Sequence, residues 1–324
     1  MDSSNQEIAY DFSPFFIVYK DSRVVQLKGN VTVPPSLDPK TNVESKDIVY
    51  LNTENIDLSA RVYIPESTHQ NKKLPLLVYF HGGCFCMESA FSPTYHNYLN
   101  SLVAEAGVIA VSVEYRQAPE NPVPCPHNDS WTALKWVTSH FNGQGPEDWL
   151  NRHADFERVF LAGDSAGANI AHHMGIKHGL EKLESSFINV TGIILCQPYF
   201  LGEEAVGDEI TNDHHKNLRE KLQGLWRFTC PSSTSGCDDP WINPAFDSNL
   251  VSLGCNKVLV FVAEKDFLRA RGLYYTEKLK ESGWRGDVQI VESKGEDHIF
   301  HLINPTSETA EAMLKRIVSF INKD

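Results

Sequence analysis

Five residues near the middle of the chain, Gly163-Asp164-Ser165-Ala166-Gly167, constrain the fold more than any other segment. An apolar run, Val159-Phe160-Leu161-Ala162, leads into them, and a helix-forming stretch from Ala166 to Met174 leaves them. The order strand, tight turn, helix puts the Ser165 hydroxyl at the carboxyl end of a strand. The flanking glycines let neighbouring backbone pass close to a strained turn.

The rest of the chain supplies the layers around such a turn. Short apolar runs at Leu76–Phe80, Val108–Val113, Val159–Ala162, Gly192–Cys196, Val258–Ala263 and Val288–Glu292 alternate with helical patterns. Near-continuous apolar strands separated by helices predict an α/β fold, with a mostly parallel sheet covered on both faces. Upstream, Phe15–Tyr19, Arg23–Leu27, Ile48–Leu51 and Leu58–Ile64 are expected to form the antiparallel start of a mixed sheet. A closing helix follows the start signal Pro305-Thr306-Ser307-Glu308, with Ala312, Ile317, Phe320 and Ile321 on its apolar face. Residues 201–250 break the alternation with an acidic loop, a helix near His214–Phe228 and a Pro/Ser/Gly/Asp-rich stretch. Residues 1–324 therefore read as a single domain, with a cap built from about 1–30 and 201–250.

A formal charge of −13, with no basic stripe, argues against nucleic-acid and anionic-membrane partners. No apolar stretch reaches the roughly 18 residues needed to cross a bilayer. The polar segment from Met1 to Glu7 reads as neither signal nor transit peptide, and the seven cysteines then read as reduced thiols of a cytoplasmic protein. In that compartment the sequons at Asn30, Asn128 and Asn189 stay unmodified. Cys230 and Cys237 flank a Ser/Thr/Gly loop, but no second Cys/His pair with zinc-like spacing accompanies them, so no metal is expected.

A serine hydroxyl is a weak nucleophile at neutral pH, so it needs a base, and the base needs an orienting acid. Asp266 follows the run Val258–Ala263, and His298 follows the last strand one short loop on. Their order along the chain, Ser165, Asp266, His298, suits acyl transfer. Asp266 is also a candidate cap for a helix beginning near Phe267, and His301 is the nearest rival base. Glu264 lies closer to the strand end, too early to face the imidazole. Upstream, His81-Gly82-Gly83-Cys84 directly follows the strand Leu76–Phe80. A glycine-rich loop there can turn backbone N–H groups toward a developing oxyanion, and Ala166, after the serine, supplies another.

Together, His81-Gly82-Gly83 and Gly163-Asp164-Ser165-Ala166-Gly167 resemble the hormone-sensitive-lipase-like α/β-hydrolases. More narrowly, the chain resembles plant carboxylesterases related to 2-hydroxyisoflavanone dehydratase and the gibberellin receptors. Asp11-Phe12-Ser13-Pro14-Phe15, Glu114-Tyr115-Arg116, Asp129-Ser130-Trp131, Ile242-Asn243-Pro244 and Ser282-Gly283-Trp284 carry this likeness along nearly the whole length. The resemblance implies an eight-stranded mixed sheet, no cofactor, and a pocket under a cap that includes the amino-terminal segment. It maps the triad onto Ser165, Asp266 and His298, and the oxyanion amides onto Gly83, Cys84 and Ala166. Cys84 departs from the pattern, since the family usually has a third glycine there. Its N–H can still donate, but its side chain restricts the backbone and crowds the acyl site. Gln117 stands where the family usually has leucine.

The leading expectation is a serine carboxylesterase acting on a small-molecule ester of plant specialised metabolism. The alternative keeps the pocket for elimination or cyclisation of a metabolite such as a flavonoid or alkaloid. Intact Ser165 favours hydrolysis, because the dehydratases carry threonine there. A non-catalytic hormone receptor is a third possibility, which His298 disfavours, because the receptors lack it.

Overall fold

The computed structural model describes residues 7–21, 23–28, 31–66, 73–181, 188–210 and 213–323. Residues 1–6, most of the segment read as lacking a leader, lie outside them, as does Asn30 of the first sequon. Strands β1 (Ile8–Phe12), β2 (Phe16–Tyr19) and β3 (Val24–Gln26) form a small antiparallel sheet. The main sheet contains β4 (Glu44–Asn52), β5 (Asp57–Ile64), β6 (Leu74–Phe80), β7 (Ile109–Val113), β8 (Ala154–Asp164), β9 (Val190–Cys196), β10 (Lys257–Ala263) and β11 (Asp287–Ser293). Its order is β11-β10-β9-β8-β6-β7-β5-β4. Pairing is parallel from β11 to β7 and antiparallel from β7 through β5 to β4. This is the mixed, mostly parallel α/β sheet that the sequence predicts, with the eight strands that the resemblance implies.

One expectation is corrected. Of the four upstream segments, only those in β4 and β5 start the mixed sheet. The segments at 15–19 and 23–27 pair with each other and with β1 instead. The reason lies in their side chains. Phe12, Phe16 and Val18 bury themselves against Cys86, Ala118 and Leu225, away from the main sheet.

Eight α-helices are described: α1 (Pro93–Ala106), α2 (Cys125–Thr138), α3 (Asp148–His153), α4 (Ala166–Glu181), α5 (Asp213–Thr229), α6 (Arg269–Glu281), α7 (Phe300–Ile303) and α8 (Glu308–Asn322). The two-residue period of β6 distributes them. Leu76, Val78 and Phe80 pack in one core with residues of α2, α4 and α6, while Leu77 and Tyr79 pack in another with α1 and α8. Both faces are apolar, so the strand reads as a continuous apolar run. Local chemistry sets the helix ends. Ser92 caps the Tyr95 N–H, Pro93 fills the first turn, and left-handed Gly107 closes α1. In α8, Ser307 caps the Ala310 N–H, as its start signal predicts.

Helix α5 and three short 3-10 turns occupy most of residues 213–252. Phe228 of α5 packs against Tyr10, Phe12 and Phe16 with tilted rings, their centroids 5.4–5.9 Å apart. The Lys221 ammonium donates to the Ser13 carbonyl. The same apolar cluster includes Cys84 and Cys86, which follow β6, and Ala118, which follows β7. All seven cysteines are free, and no helix among the described residues is long and apolar enough to cross a membrane.

A close approach between layers lies at Gly167, where a Cβ would run into the carbonyls of Phe80 and His81. Gly167→Ala must push α4 off β6. We expect it to lower stability by about 2 kcal/mol and Tm by about 4 °C. An unchanged calorimetric Tm would contradict this packing.

Candidate active site

The carboxyl ends of five parallel strands carry every element of the site. His81-Gly82-Gly83 follows β6, Ser165 follows β8, Gln197 follows β9, Asp266 lies beyond β10 and His298 beyond β11. Ser165 adopts φ of +51°, a left-handed conformation that costs a non-glycine residue about 1–3 kcal/mol. Surrounding backbone holds it there. The Ser165 N–H donates to the Cys196 carbonyl at 2.9 Å, and the Ser165 carbonyl accepts from the N–H groups of Tyr199 and Asn169.

The structure brings Ser165, His298 and Asp266 together in one chain of hydrogen bonds. His298 Nε2 lies 3.1 Å from Ser165 Oγ, and His298 Nδ1 lies 2.8 Å from Asp266 Oδ2. Ser165 and Asp266 are buried, while 32% of the His298 side chain is exposed. Desolvation pulls the imidazole pKa down. The Asp266 carboxylate, by charge and hydrogen bond, with Asp164 and Asp297 behind it, outweighs that and leaves it raised above 6.5. The capping role considered for Asp266 also holds, on its other oxygen, since Oδ1 accepts the Leu268 N–H at 2.9 Å.

The rivals face elsewhere. His301 is buried edge-on to Tyr98, and burial lowers its pKa to about 3, so it is neutral. Glu264 accepts the Gly295 N–H and pairs with Lys294.

Gln197 is a part of the site that sequence reasoning missed. Its Oε1 accepts the Ile299 N–H at 2.6 Å, next to His298, and Ile299 itself stands at φ of +50°. The only signal for it in the chain is a glutamine just beyond an apolar strand.

The glycine loop takes three left-handed residues in a row, with Gly83 at +108°, Cys84 at +54° and Phe85 at +65°. Gly83 combines that conformation with a position where a Cβ would strike the Met87 carbonyl. Cys84 adopts the backbone that the family pattern gives to glycine, so its side chain does not prevent the turn. Neither the Gly83 nor the Cys84 N–H donates to any acceptor among the described residues, and Ala166 opens α4 with no helical acceptor for its own. Burial pushes the Cys84 thiol pKa up to about 12, so it stays protonated.

Beneath the loop, the Tyr95 hydroxyl accepts the Gly82 N–H at 2.7 Å and donates to Asp164 Oδ2 at 2.8 Å. Tyr79 donates to the other Asp164 oxygen at 2.8 Å. Burial raises Asp164 to about 6 against the lowering effect of these two hydroxyls. His81 stacks on Tyr115 with ring centroids 4.2 Å apart. Glu114 lies 3.7 Å from His81 Nε2, but burial lowers His81 to about 4 and raises Glu114 to about 7. The imidazole is therefore neutral at physiological pH, and the contact is not an ion pair.

Comparison with known proteins places the chain in a family. Residues 77–302 match the alpha/beta hydrolase fold family. "Probable carboxylesterase 13" of Arabidopsis thaliana is 51% identical, with 99% of each chain covered. The 2-hydroxyisoflavanone dehydratase of Glycine max is 42% identical, covering 98% of this chain and 99% of the relative. Among solved structures, a hyperthermophilic esterase from the archaeon Pyrobaculum calidifontis superposes with a TM-score of 0.70 at 28% identity, covering 86% of this chain and 85% of the esterase. The chain belongs to the α/β-hydrolase family, in its plant carboxylesterase group.

Proposed function

We propose that the protein hydrolyses a carboxylic ester of a small plant metabolite through an acyl-enzyme on Ser165. The continuous contact from Ser165 Oγ through His298 to Asp266, at 3.1 and 2.8 Å, carries this reading. His298 Nε2 takes the Ser165 proton as Oγ attacks the ester carbonyl carbon, and Asp266 holds the imidazole and stabilises its positive charge. The N–H groups of Gly83, Cys84 and Ala166 receive the oxyanion. As the tetrahedral intermediate collapses, His298 gives its proton to the departing alcohol. Water, deprotonated by the same imidazole, then attacks the acyl carbon, and the acid leaves as Ser165 regains its proton.

In this account β1–β3 and α5 form the cap, and its cluster of Phe12, Phe16, Leu225 and Phe228 beside Cys84 favours an apolar acyl or aromatic group. Free thiols accord with a cytoplasmic location, which imaging a fluorescent fusion in plant cells checks; an organellar signal would refute it.

Identity of 42% to a 2-hydroxyisoflavanone dehydratase supports a second reading. There the same amides polarise a ketone, and His298 removes the α-proton. A C=C bond forms as the β-hydroxyl departs, taking a proton to leave as water. No bond to Ser165 forms, so loss of its hydroxyl separates the two readings.

The deciding assay is steady-state hydrolysis of p-nitrophenyl acetate and butyrate. We expect wild-type turnover and a fall in kcat/KM of about 10³-fold or more in Ser165→Ala. Turnover that survives the substitution would rule out the acyl-enzyme. Because His298 must be neutral to act and its pKa is raised, kcat/KM is expected to climb through one acidic limb with its midpoint above pH 6.5. A midpoint below 6.5 would contradict the Asp266 contact. Gln197→Leu removes the acceptor that fixes the loop after His298. We expect kcat to drop about tenfold with KM little changed, and an unchanged kcat would relieve Gln197 of this role.

A further inference from the structure

Two turns along α4 from Ser165, the protein buries histidines that the proposed chemistry does not use. His172 is 0% exposed and His173 is 7% exposed, and His127 of α2 lies edge-on to His173. Buried polar atoms are normally bonded, because leaving one unpaired carries a desolvation cost. Here hydrogen bonds engage one nitrogen each of His172 and His173. His173 Nε2 lies 3.1 Å from the Trp241 carbonyl, which can only accept, so Nε2 holds the proton and Nδ1 the lone pair. His172 Nδ1 lies 3.1 Å from the Tyr275 hydroxyl, and its buried Nε2 has no hydrogen-bond partner among the described residues. Asp247, from the segment after α5, spends one carboxylate oxygen on the Asn249 N–H. One ligating atom from each of His172, His173 and Asp247 lies within 4.8 Å of the others. A cavity of about 370 Å³, lined in part by His173, Trp241 and Asp247, has room for water beside those residues.

We propose that His172, His173 and Asp247 bind one divalent transition-metal ion of the zinc, cobalt or nickel class. Two imidazoles and a carboxylate suit those cations, and the cavity supplies water for the remaining positions. Donation of a ring N–H to a backbone carbonyl, as His173 makes to Trp241, is the outer contact that metal-ligating histidines usually have. In a tetrahedral site with bonds of about 2.0–2.1 Å the ligand atoms lie about 3.3 Å apart, so the donors close in by about 1.5 Å at most. The ion ties α4 to the chain segment that follows α5. Its role is structural, and no step at Ser165 passes through it. A search for closely spaced Cys/His pairs overlooks the group, because Asp247 joins the histidines only through the fold.

The test uses tag-free, full-length protein, stripped with EDTA, freed of chelator, and titrated with Co²⁺ or Zn²⁺. We expect one ion per chain, cobalt d–d absorption, and a Tm increase of about 3 °C or more at saturating Zn²⁺. Asp247→Asn is isosteric at a partly exposed position, so it keeps the fold by circular dichroism. It is expected to weaken binding at least about tenfold, and His173→Ala to abolish the cobalt spectrum. Absence of binding by the wild type, or unchanged affinity in Asp247→Asn, overturns the proposal.

Discussion

The left-handed turn at Ser165 is the constraint on which the rest of the site depends. A non-glycine residue takes that conformation only where its surroundings over-determine it. Here neighbouring backbone supplies them: the Cys196 carbonyl, the Tyr199 and Asn169 amides, and β6 pressed against α4 at Gly167. Because β6 must approach so closely, the loop that leaves it carries Gly83 and Cys84 to the neighbourhood of Ser165. Asp164 locks the two together, since it receives the Tyr95 hydroxyl that in turn holds the Gly82 amide. The turn and the amide loop are therefore one unit.

Electrostatics around this unit follows from burial. Most nearby titratable groups are held neutral: the Cys84 thiol by a raised pKa, and the His81 and His301 imidazoles by lowered ones. His298 differs from these imidazoles, because the adjoining Asp266 carboxylate outweighs desolvation. In the proposed mechanism this raised imidazole is the group that exchanges the proton, as general-base chemistry requires. Cys84 fits this pattern as a compact neutral side chain.

Much of this was legible in the chain. The parallel strands showed themselves because two-sided burial leaves an apolar run, and Ser165, Asp266 and His298 because each stands just past such a run. What stayed hidden depended on tertiary contacts. β1–β3 have short strands whose buried side chains pack against Leu225 of α5 and the residues after β6 and β7, so their pattern did not reveal that they form a sheet of their own. Gln197 accepts one backbone N–H, and Tyr95 links the Gly82 N–H to Asp164, contacts that leave no periodic or compositional trace. The choice between His298 and His301 turned on one turn of backbone near left-handed Ile299, which sends one ring toward Ser165 and packs the other against Tyr98.

The central claim is that Ser165 is a nucleophile activated by His298. Intact-protein mass spectrometry with a small organophosphate tests it without knowledge of the natural ester. The account predicts one adduct per chain, located on Ser165, and formation slowed by about 10³-fold or more in His298→Ala. No adduct on folded wild-type protein, or labelling of His298→Ala at the wild-type rate, would contradict it.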